Sequence, residues 1–505
     1  MRKNLLLIRL GLLLLTLALA ITAFAGCNQD KEPSSNGNTD TKQEDDTSDL
    51  YDADGYLKDT LPATLNYKFE EVKILGWNSE ACNEFDIEAL SGNQIEDAIF
   101  ERDAAVEERI KVEISYDIEP GHVAAKNTYM NRVQNAINAG NPYDYIASHT
   151  QSVATCAING LLTDLGTLEN SYFDFDAPWW NQSIREKTSI GDTFFMCTGD
   201  ITPSCVQMTY CLFFNADMIA ARSLESPYKM VEENEWTLEA LAGMTVSFYQ
   251  DLDNDNTPEL GDYLPLVGKY YDWPALLHGC GVGIVVRDEA TGDFILDPNL
   301  GGEKGLGIMS DLATMISLDN CMVFSDSTTE AQVRQSFIDE TSLFLIQESS
   351  VAARFFSAVE FEYGCVPFPK YDTEQEDYIC TTRQPISMYG ISKGVRSDRI
   401  EMISATMEAM ASEGYRSVTP EVFDSIMKYQ KASSAEMSQM LSLIRDSAWF
   451  DCGRIYAANA AYVCDQPGQV LMKNNTWDNY VNTSLNTTVK ANVENLSEIL
   501  LDLAS

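Results

Sequence analysis

The acidic segment "DLDNDNTPELGD", residues 251–262, has the pattern of residue types best suited to bind a metal ion. Ca²⁺ takes six or more oxygen ligands, and side-chain oxygens recur through this segment at the spacing that wraps a loop around one ion. The residues that match ligand positions 1, 3, 5, 7, 9 and 12 of a twelve-residue calcium loop are Asp251, Asp253, Asp255, Thr257, Glu259 and Asp262.

Three positions depart from the usual calcium loop. Asn256 stands where glycine is usual, although asparagine tolerates the left-handed conformation. Pro258 removes a backbone N–H, and Asp262 is one methylene shorter than the usual bidentate Glu. We predict a structural Ca²⁺ at this loop, and we keep open an Asx-rich turn without metal.

A single cysteine, Cys27, ends an apolar N-terminal segment and precedes a long polar stretch. A short basic head and a Leu-, Ile- and Ala-rich run that ends in small residues are typical of a secretory signal. The residues "FAGC", 24–27, resemble the bacterial lipobox, in which the cysteine is lipidated and becomes the mature N-terminus. We predict a signal peptide at residues 1–26, lipidation of Cys27, and a disordered tether at residues 27–64. An uncleaved transmembrane anchor is the alternative.

Bulk composition limits the possible functions. The net charge of −43 repels phosphate backbones, so we predict no nucleic-acid partner, and the same charge disfavours anionic ligands. Solubility alone also explains this charge. Twelve cysteines occur without a CxxC pair or zinc-type spacing, so we expect few or no disulfides and no resident cofactor besides calcium.

Strand and helix patterns alternate after the tether. The segment "EEVKILGW" alternates into a strand through Val72 and Ile74. One face of the following helical pattern carries four apolar residues: Ile95, Ile99, Val106 and Ile110. This alternation predicts an α/β fold with a mostly parallel sheet, in which ligands bind at the carboxyl ends of strands. The loops "GWNSE", "SHTQS" and "TGDITPS" are therefore the candidate binding loops.

Several segments, taken in order, are similar to one protein family. They are "YDYIASHTQSVATCAINGLLTDLGTL", "DAPWWNQS", "GDTFFMCTGDITPSCVQMTYCLFFNADMI", "SPYKMVEENEWTLEALAGM", "SLFLIQESS" and "YGCVPFPKYDTEQEDY". This series resembles the extracellular solute-binding proteins of family 1, over about residues 67–410. Members are the ligand-capturing subunits of ABC importers, and many bind oligosaccharides.

The resemblance implies a two-lobe, periplasmic-binding-protein-like fold of type II, with discontinuous lobes joined by a three-crossing hinge. By position, the crossings fall near residues 198–207, after residues 346–350, and near residues 391–396. We predict an N-terminal lobe of residues 65–200 plus 350–393, and a C-terminal lobe of residues 201–349 plus 394–505.

The predicted ligand contacts follow from the loops and from these crossings. Aromatic rings pack on the apolar faces of sugar rings, and polar side chains bind the hydroxyl groups. Our candidates are Trp77, Asn78, Ser148, His149, Gln151, Trp180, Asp200, Ser204, Trp273, Glu348 and Tyr389. Each tryptophan has the alternative of a core position, and of the pair Trp179 and Trp180 one can pack in the core while the other faces the cleft.

The sequence thus predicts a monomeric, lipid-anchored protein on the extracytoplasmic face of the cell membrane. It would capture a neutral oligosaccharide in a cleft, close by a hinge motion, and deliver the ligand to ABC permease subunits without any catalysis. A glycoside hydrolase with paired carboxylates and a surface adhesion protein are the alternatives.

Overall fold

The computed structural model describes residues 50–79, 83–288, 290–427, 434–473 and 476–504. The chain divides into two units, Met1–Leu57 and Lys58–Ser505. In the first unit, Tyr51 and Leu57 form an antiparallel bridge around a turn. The predicted signal peptide, Cys27 and residues 27–49 of the predicted tether lie outside the described residues.

The second unit contains most of the regular structure. Its strands, numbered along the chain, are β1 (Glu70–Trp77), β2 (Val112–Glu119), β3 (Tyr145–His149), β4 (Tyr210–Asn215), β5 (Leu264–Lys269), β6 (Val285–Arg287), β7 (Phe294–Leu296), β8 (Met322–Phe324), β9 (Ser342–Glu348), β10 (Tyr363–Val366), β11 (Cys380–Thr381), β12 (Ser387–Ile391) and β13 (Ala448–Trp449). Its α-helices are α1 (Gln94–Ile110), α2 (Lys126–Asn138), α3 (Thr150–Ile158), α4 (Gln182–Thr188), α5 (Ser204–Gln207), α6 (Ala216–Ala221), α7 (Pro227–Glu232), α8 (Leu238–Thr245), α9 (Pro274–Gly279), α10 (Glu303–Asp319), α11 (Glu330–Ile338), α12 (Val351–Phe355), α13 (Ile400–Glu413), α14 (Thr419–Met427), α15 (Ser434–Asp446), α16 (Cys452–Ile455), α17 (Gln466–Met472), α18 (Trp477–Tyr480) and α19 (Lys490–Ala504).

Helix α1 forms where the apolar periodicity predicts it. The four apolar residues of its predicted face are all buried: Ile95, Ile99, Val106 and Ile110. Asn93 caps the first turn, because its side chain accepts hydrogen bonds from the backbone N–H groups of Ile95 and Glu96. The charged residues of the helix, except the buried Arg102, therefore remain exposed or half-buried while one stripe packs on the first sheet.

The first sheet has four strands in the order β12-β3-β1-β2. Strand β1 pairs in parallel with β2 and β3, whereas β12 pairs antiparallel with β3. Strand β3 is buried along its whole length, which fits a central strand covered on both faces. The predicted parallel α/β character is confirmed for this sheet.

The second sheet has five strands in the order β10-β4-β9-β5-β8. Strands β9, β5 and β8 run parallel, and β4 runs antiparallel to both β9 and β10. Strand β10 lies within the range 350–393 that we predicted for the N-terminal lobe. The chain thus changes sheets after Val366 and not after Ser350, because the short strand "YGCV" completes the edge of the second sheet.

The two sheets meet through the segments that enter β4 and β12. Cys197 forms a bridge with Tyr389 of the first sheet, and the chain then enters the second sheet at Tyr210. Between these points, Ser204 accepts a hydrogen bond from the backbone N–H of Ser387, the first residue of β12. The edges at which β4 and β12 begin are therefore close neighbours.

The start of the second unit packs earlier than the predicted tether end at residue 64. Asp59 binds Arg109 on α1 with an Oδ2–Nη1 distance of 2.8 Å, and Ser412 on α13 donates to Asp59 at 2.5 Å. Leu61 is buried. In the described part of the chain, no helix combines the length and the apolar character needed to span a bilayer.

Candidate binding site between the two sheets

The first edge consists of Trp77, Glu119 and His149, where β1, β2 and β3 end, and of Ser387, where β12 begins. The indole N–H of Trp77 donates to Oγ of Ser387 at 2.8 Å, and its ring meets the His149 ring edge-on, with 5.8 Å between ring centroids. Burial lowers the pKa of His149 to about 3, so its ring is neutral. Trp77 and His149 are thus brought together, but as buried residues beneath the edge.

Gly121, which follows β2, supports the same edge. Its carbonyl accepts hydrogen bonds from Oγ of Ser148 at 3.1 Å and of Ser152 at 2.6 Å. A Cβ atom at this glycine would lie 2.1 Å from Ser148 Oγ and 2.6 Å from Trp77 Cβ, so only glycine fits. Asn78, by contrast, is exposed at the end of β1.

A buried carboxylate organises the first crossing between the sheets. Glu84 accepts hydrogen bonds from Oγ of Ser79 at 2.5 Å and from the hydroxyl of Thr202. The hydroxyls of Thr202 and Ser204 lie 2.6 Å apart, and Ser204 also accepts from the N–H of Ser387. Burial raises the pKa of Glu84. The predicted residue Ser204 therefore ties two segments together and is itself inaccessible.

Asp200, the other predicted residue of this crossing, is engaged in an ion pair. Arg445 at the end of α15 binds its carboxylate, and Oγ1 of Thr419 donates to it at 2.6 Å. Gly414 packs so closely that a Cβ atom there would lie 2.0 Å from the Asp200 carbonyl oxygen. Asp200 thus joins three elements and has little carboxylate surface left for a ligand.

The second edge consists of Tyr210, where β4 begins, and of Lys269, Phe324 and Glu348, where β5, β8 and β9 end. Arg383 lies on this edge, with both carboxylate oxygens of Glu348 at 3.4 Å from its Nη1 atom. It also binds Glu330, which accepts from the hydroxyl of Tyr271 at 2.6 Å. The predicted residue Glu348 is buried in this network.

Two tyrosines after β5 offer accessible ring surface at the second edge. Tyr270 and Tyr271 are half-buried, and their rings meet edge-on with 5.1 Å between centroids. Behind them, the hydroxyl of Tyr210 donates to Asp272 at 2.8 Å, and burial raises the pKa of Asp272 to about 7. Half-exposed rings beside fixed polar groups are the combination that sugar faces require.

The two edges are linked by glutamines and an arginine. The side-chain N–H of Gln151 on α3 donates to Oε1 of Gln384 at 2.5 Å, and Gln384 donates to the carbonyl of Arg454 at 3.0 Å. Among the described residues, Oε1 of Gln151, Oε1 of Gln207 and the Nε and Nη1 atoms of Arg454 have no hydrogen-bond partner. Buried polar atoms without partners are costly, so a ligand that supplied hydrogen bonds to these atoms would be favoured.

Three predicted aromatic contacts are buried in the protein interior. Trp273 is fully buried at the start of α9, and Tyr389 is buried in the middle of β12, an edge strand of the first sheet. Trp180 and its neighbour Trp179 both donate their indole N–H to Glu408 on α13, each at 2.8 Å. One carboxylate therefore holds both indole N–H groups, and which ring of this pair faces a ligand stays a prediction.

A cavity of about 630 Å³ lies beside the first crossing. Residues that line it include Trp180, Gly199, Asp200, Tyr378, Arg445 and Trp449. Trp449 in β13 also packs against His278, with 5.2 Å between ring centroids. Of the predicted ligand residues, Trp180 and Asp200 thus border a cavity, although both are largely buried.

The acidic loop brings together three of its six predicted ligands. Carboxylate oxygens of Asp251, Asp253 and Asp255 lie within 4.8 Å of one another. The Asp251 carboxylate also accepts from the N–H of Asn256 at 2.8 Å, which lowers its pKa. The oxygens of Asp262 instead accept from other loop groups, including the N–H of Leu252 at 2.9 Å. Glu259 is not part of this carboxylate cluster, and Ca²⁺ binding stays a prediction.

Sequence reasoning missed the residues that connect the two edges: Gln207, Tyr271, Glu330, Arg383, Gln384 and Arg454. A usable signal existed for Tyr271, because "YY" directly follows the buried strand "LPLVGK". Arg383 and Arg454 gave no such signal, since they reach the site from segments distant in sequence.

The fold is that of the family 1 extracellular solute-binding proteins. A cyclic alpha-maltosyl-1,6-maltose binding protein from Arthrobacter globiformis matches with a TM-score of 0.54 and 11% identity, over 85% of this chain and 100% of that one. A family 1 extracellular solute-binding protein from Bifidobacterium longum subsp. infantis matches with a TM-score of 0.52 and 12% identity, over 85% and 98%. An ABC substrate-binding protein from Listeria monocytogenes, in complex with cycloalternan, matches with a TM-score of 0.51 and 11% identity, over 85% and 99%.

These proteins are described as binding proteins, and the similarity shows the two-lobe α/β fold for this chain. No family model matches the sequence, and no curated protein matches it significantly. The resemblance predicted from the ordered motifs is confirmed at the level of the fold.

Proposed function

We propose that this protein is an extracytoplasmic solute-binding protein that captures an oligosaccharide between its two sheets. One observation carries the proposal: half-exposed tyrosines lie at the second edge, and Gln151 and Gln384 join the first edge to the carbonyl of Arg454, where polar atoms lack partners among the described residues. Sugar rings supply apolar faces for the tyrosine rings and hydroxyls for the polar atoms. The sugar ligands named for the structural neighbours, among them cycloalternan and a cyclic maltosyl-maltose, support the same ligand class.

We propose that binding involves no covalent step. Although burial alone would raise it, Arg383 and the hydroxyl of Tyr271 hold the pKa of Glu330 below its ordinary value. Glu348 also faces Arg383, so both carboxylates are bound by a cation. A glycoside hydrolase needs one protonated carboxyl as general acid, and the lowered pKa of Glu330 makes this residue unsuited to that role.

The test is a melting-temperature screen of the purified protein against mono- and oligosaccharides, with peptides and polyamines as comparison ligands. A ligand that binds only the folded state raises the melting temperature by mass action. The expected hit is a saccharide that is recovered unchanged after prolonged incubation. Hydrolysis of that saccharide, or stabilisation by peptides or polyamines alone, would reject the proposal.

A matched pair of variants ties binding to the second edge. Tyr271→Ala removes a ring from the proposed site, whereas Tyr371→Ala removes an exposed ring outside it. A stacked aromatic ring contributes about 1 kcal/mol or more, so the first variant should weaken saccharide binding at least five-fold in calorimetry. The second variant should bind as the unmodified protein does. Equal loss in both would exclude the stacking role.

We also propose that Cys27 carries the lipid anchor and that ABC permease subunits receive the ligand. The support is the signal-like segment and the lipobox resemblance. Metabolic labelling with a fatty acid should mark the unmodified protein and leave a Cys27→Ala variant unlabelled and released from membranes. Labelling that persists in this variant would place the anchor elsewhere.

Calcium at the acidic loop is a separate proposal. Asp251, Asp253 and Asp255 supply carboxylates close enough to share one ion, and Asn256 adopts the left-handed backbone that the tight turn needs, with φ of 64°. The melting temperature with added Ca²⁺ should be several degrees higher than the melting temperature with a chelator. The difference should vanish in Asp253→Asn. Identical melting in both conditions would favour the metal-free turn.

A further inference from the structure

Arg454 places a buried positive charge where the two edges meet. Only 7% of the residue is exposed. Its backbone is fixed at the start of α16, because the Asp451 carboxylate accepts from the N–H of Gly453 at 2.6 Å and of Arg454 at 3.2 Å. The same carboxylate accepts from the N–H of Ile284 at 2.7 Å, which ties α16 to β6. The guanidinium therefore projects from a rigid base.

The other buried arginine of the described chain, unlike Arg454, forms an ion pair. Arg102, 3% exposed, has Asp103 at 2.7 Å. Arg454 forms no ion pair with any described residue. Asp451 and Asp465 interact with it electrostatically without forming an ion pair, and both oxygens of Asp451 accept from backbone N–H groups. A buried guanidinium without a partner is unfavourable unless an anion completes it.

Hydrogen-bond acceptors without partners accompany this donor. Nδ1 of His278 lies 2.8 Å from the carbonyl of Val282, so Nδ1 carries the hydrogen and Nε2 is an acceptor. Within the described residues, Nε2 of His278 and the Oε1 atoms of Gln151 and Gln207 accept no hydrogen bond. A ligand that satisfies these atoms would offer hydroxyl donors to the three acceptors and one strong acceptor to Arg454.

We infer that the site takes a saccharide bearing a carboxylate group, such as a uronic acid residue, and that Arg454 binds this carboxylate. The inference rests on the proposed function and narrows its ligand class, and it replaces the expectation of a neutral ligand. Sugar hydroxyls donate to Gln151, Gln207 and His278, while the carboxylate accepts from the guanidinium. Charge-assisted hydrogen bonds of this type are stronger than those to a hydroxyl oxygen.

The net charge of −43 gives the inference a kinetic signature. A negatively charged saccharide approaches against the field of the whole protein, and dissolved salt screens that field over about 10 Å at 0.1 M. The buried contact with Arg454 is screened much less. The association rate of an acidic saccharide should thus rise with added salt, whereas that of a neutral saccharide should stay constant.

The experiment compares uronate trisaccharides of the galacto, gluco and manno series with their neutral counterparts, by melting temperature and calorimetry on the full chain. At least one uronate should bind ten-fold or more tightly than its neutral counterpart, with faster association at higher salt. Equal or tighter binding of the neutral sugar overturns the inference but leaves the proposed function intact. Absence of binding by every saccharide overturns both.

Variants then assign the preference to Arg454. Arg454→Gln should remove the ten-fold preference for the uronate, Arg454→Lys should retain part of it, and Arg396→Gln, at an exposed arginine paired with Asp398, should leave it unchanged. If Arg454→Gln does not fold, the salt dependence and the ligand comparison in the unmodified protein still decide the question. A preference that survives in folded Arg454→Gln overturns the assignment.

Discussion

Glu408 offers a sharp test of the packing that holds the two neighbouring tryptophans. The residue is 1% exposed on α13, and its two carboxylate oxygens accept from the indole N–H groups of Trp179 and Trp180. Burial raises its pKa from 4.5 to about 7, because the donors only partly offset the lost hydration of the charged form. Glu408→Gln keeps the size of the side chain and removes its titration.

The sign and size of the effect follow from this pKa. Since the folded-state pKa is raised, the protonated form is favoured in the folded protein, and stability falls as pH rises from about 4.5 to above 7. Each pH unit over which only the unfolded state is ionised removes about 1.4 kcal/mol, so the loss approaches about 3 kcal/mol at pH 8. Glu408→Gln avoids this loss, but its amide can accept from only one indole, which costs about 1 kcal/mol.

The assay is urea unfolding followed by tryptophan fluorescence at pH 4.5 and pH 8. Relative to the unmodified protein, Glu408→Gln should be about 1 kcal/mol less stable at pH 4.5 and about 2 kcal/mol more stable at pH 8. Glu401→Gln, at an exposed position on the same helix, controls for the loss of one charge. A stability difference that does not change with pH, or one that favours the carboxylate at pH 8, would refute the reasoning.

Three further substitutions test other parts of the site. Arg383→Met removes the ion pair between Arg383 and the buried Glu348, and it should lower the free energy of unfolding by about 3 kcal/mol in urea. A loss below about 1 kcal/mol would show that this ion pair is not stabilising. Asp200→Asn uncouples Arg445 and should cost about 2 kcal/mol by the same measurement, and an unchanged unfolding midpoint would show that the ion pair is not stabilising. Gly121→Ala places a methyl group 2.1 Å from a neighbouring hydroxyl, so the variant should lose roughly 1–3 kcal/mol of stability and melt at a lower temperature in calorimetry. An unchanged melting temperature would mean that the turn relaxes without cost.

The elements of the first sheet were predictable because their signals are local. The strand pattern of "EEVKILGW" and the helical stripe through Ile95 and Ile110 need no knowledge of distant segments. The rule that ligands gather at the carboxyl ends of strands also directed attention to loops that lie at the first edge and at the first crossing. The short strand Tyr363–Val366 was not predicted to belong to the second sheet, because four residues carry too weak a pattern to assign a strand to a sheet.

The identity of the site residues was less predictable, because burial depends on partners far away in sequence. Trp180 reads as a sugar platform until Glu408, 228 residues later, binds its indole N–H. The sequence also suggests that Trp77 is a sugar platform. In the fold, its indole N–H instead donates to Ser387, which lies on another strand of the first edge. Conversely, no local sequence pattern marks Arg454. Only the fold shows that this arginine is buried and forms no ion pair with a described residue.

The segments that enter β4 and β12 lie close together, and their position determines which contacts would lengthen if the two lobes moved apart. Side chains near Ser204 and Ser387 sit almost on the pivot, so they would keep their mutual spacing while the lobes swing apart. The exposed contact between Lys126 Nζ and the Tyr462 hydroxyl, 3.5 Å apart, joins segments 336 residues apart in the sequence. A fluorophore pair attached at these two residues would report whether this contact opens when the lobes move.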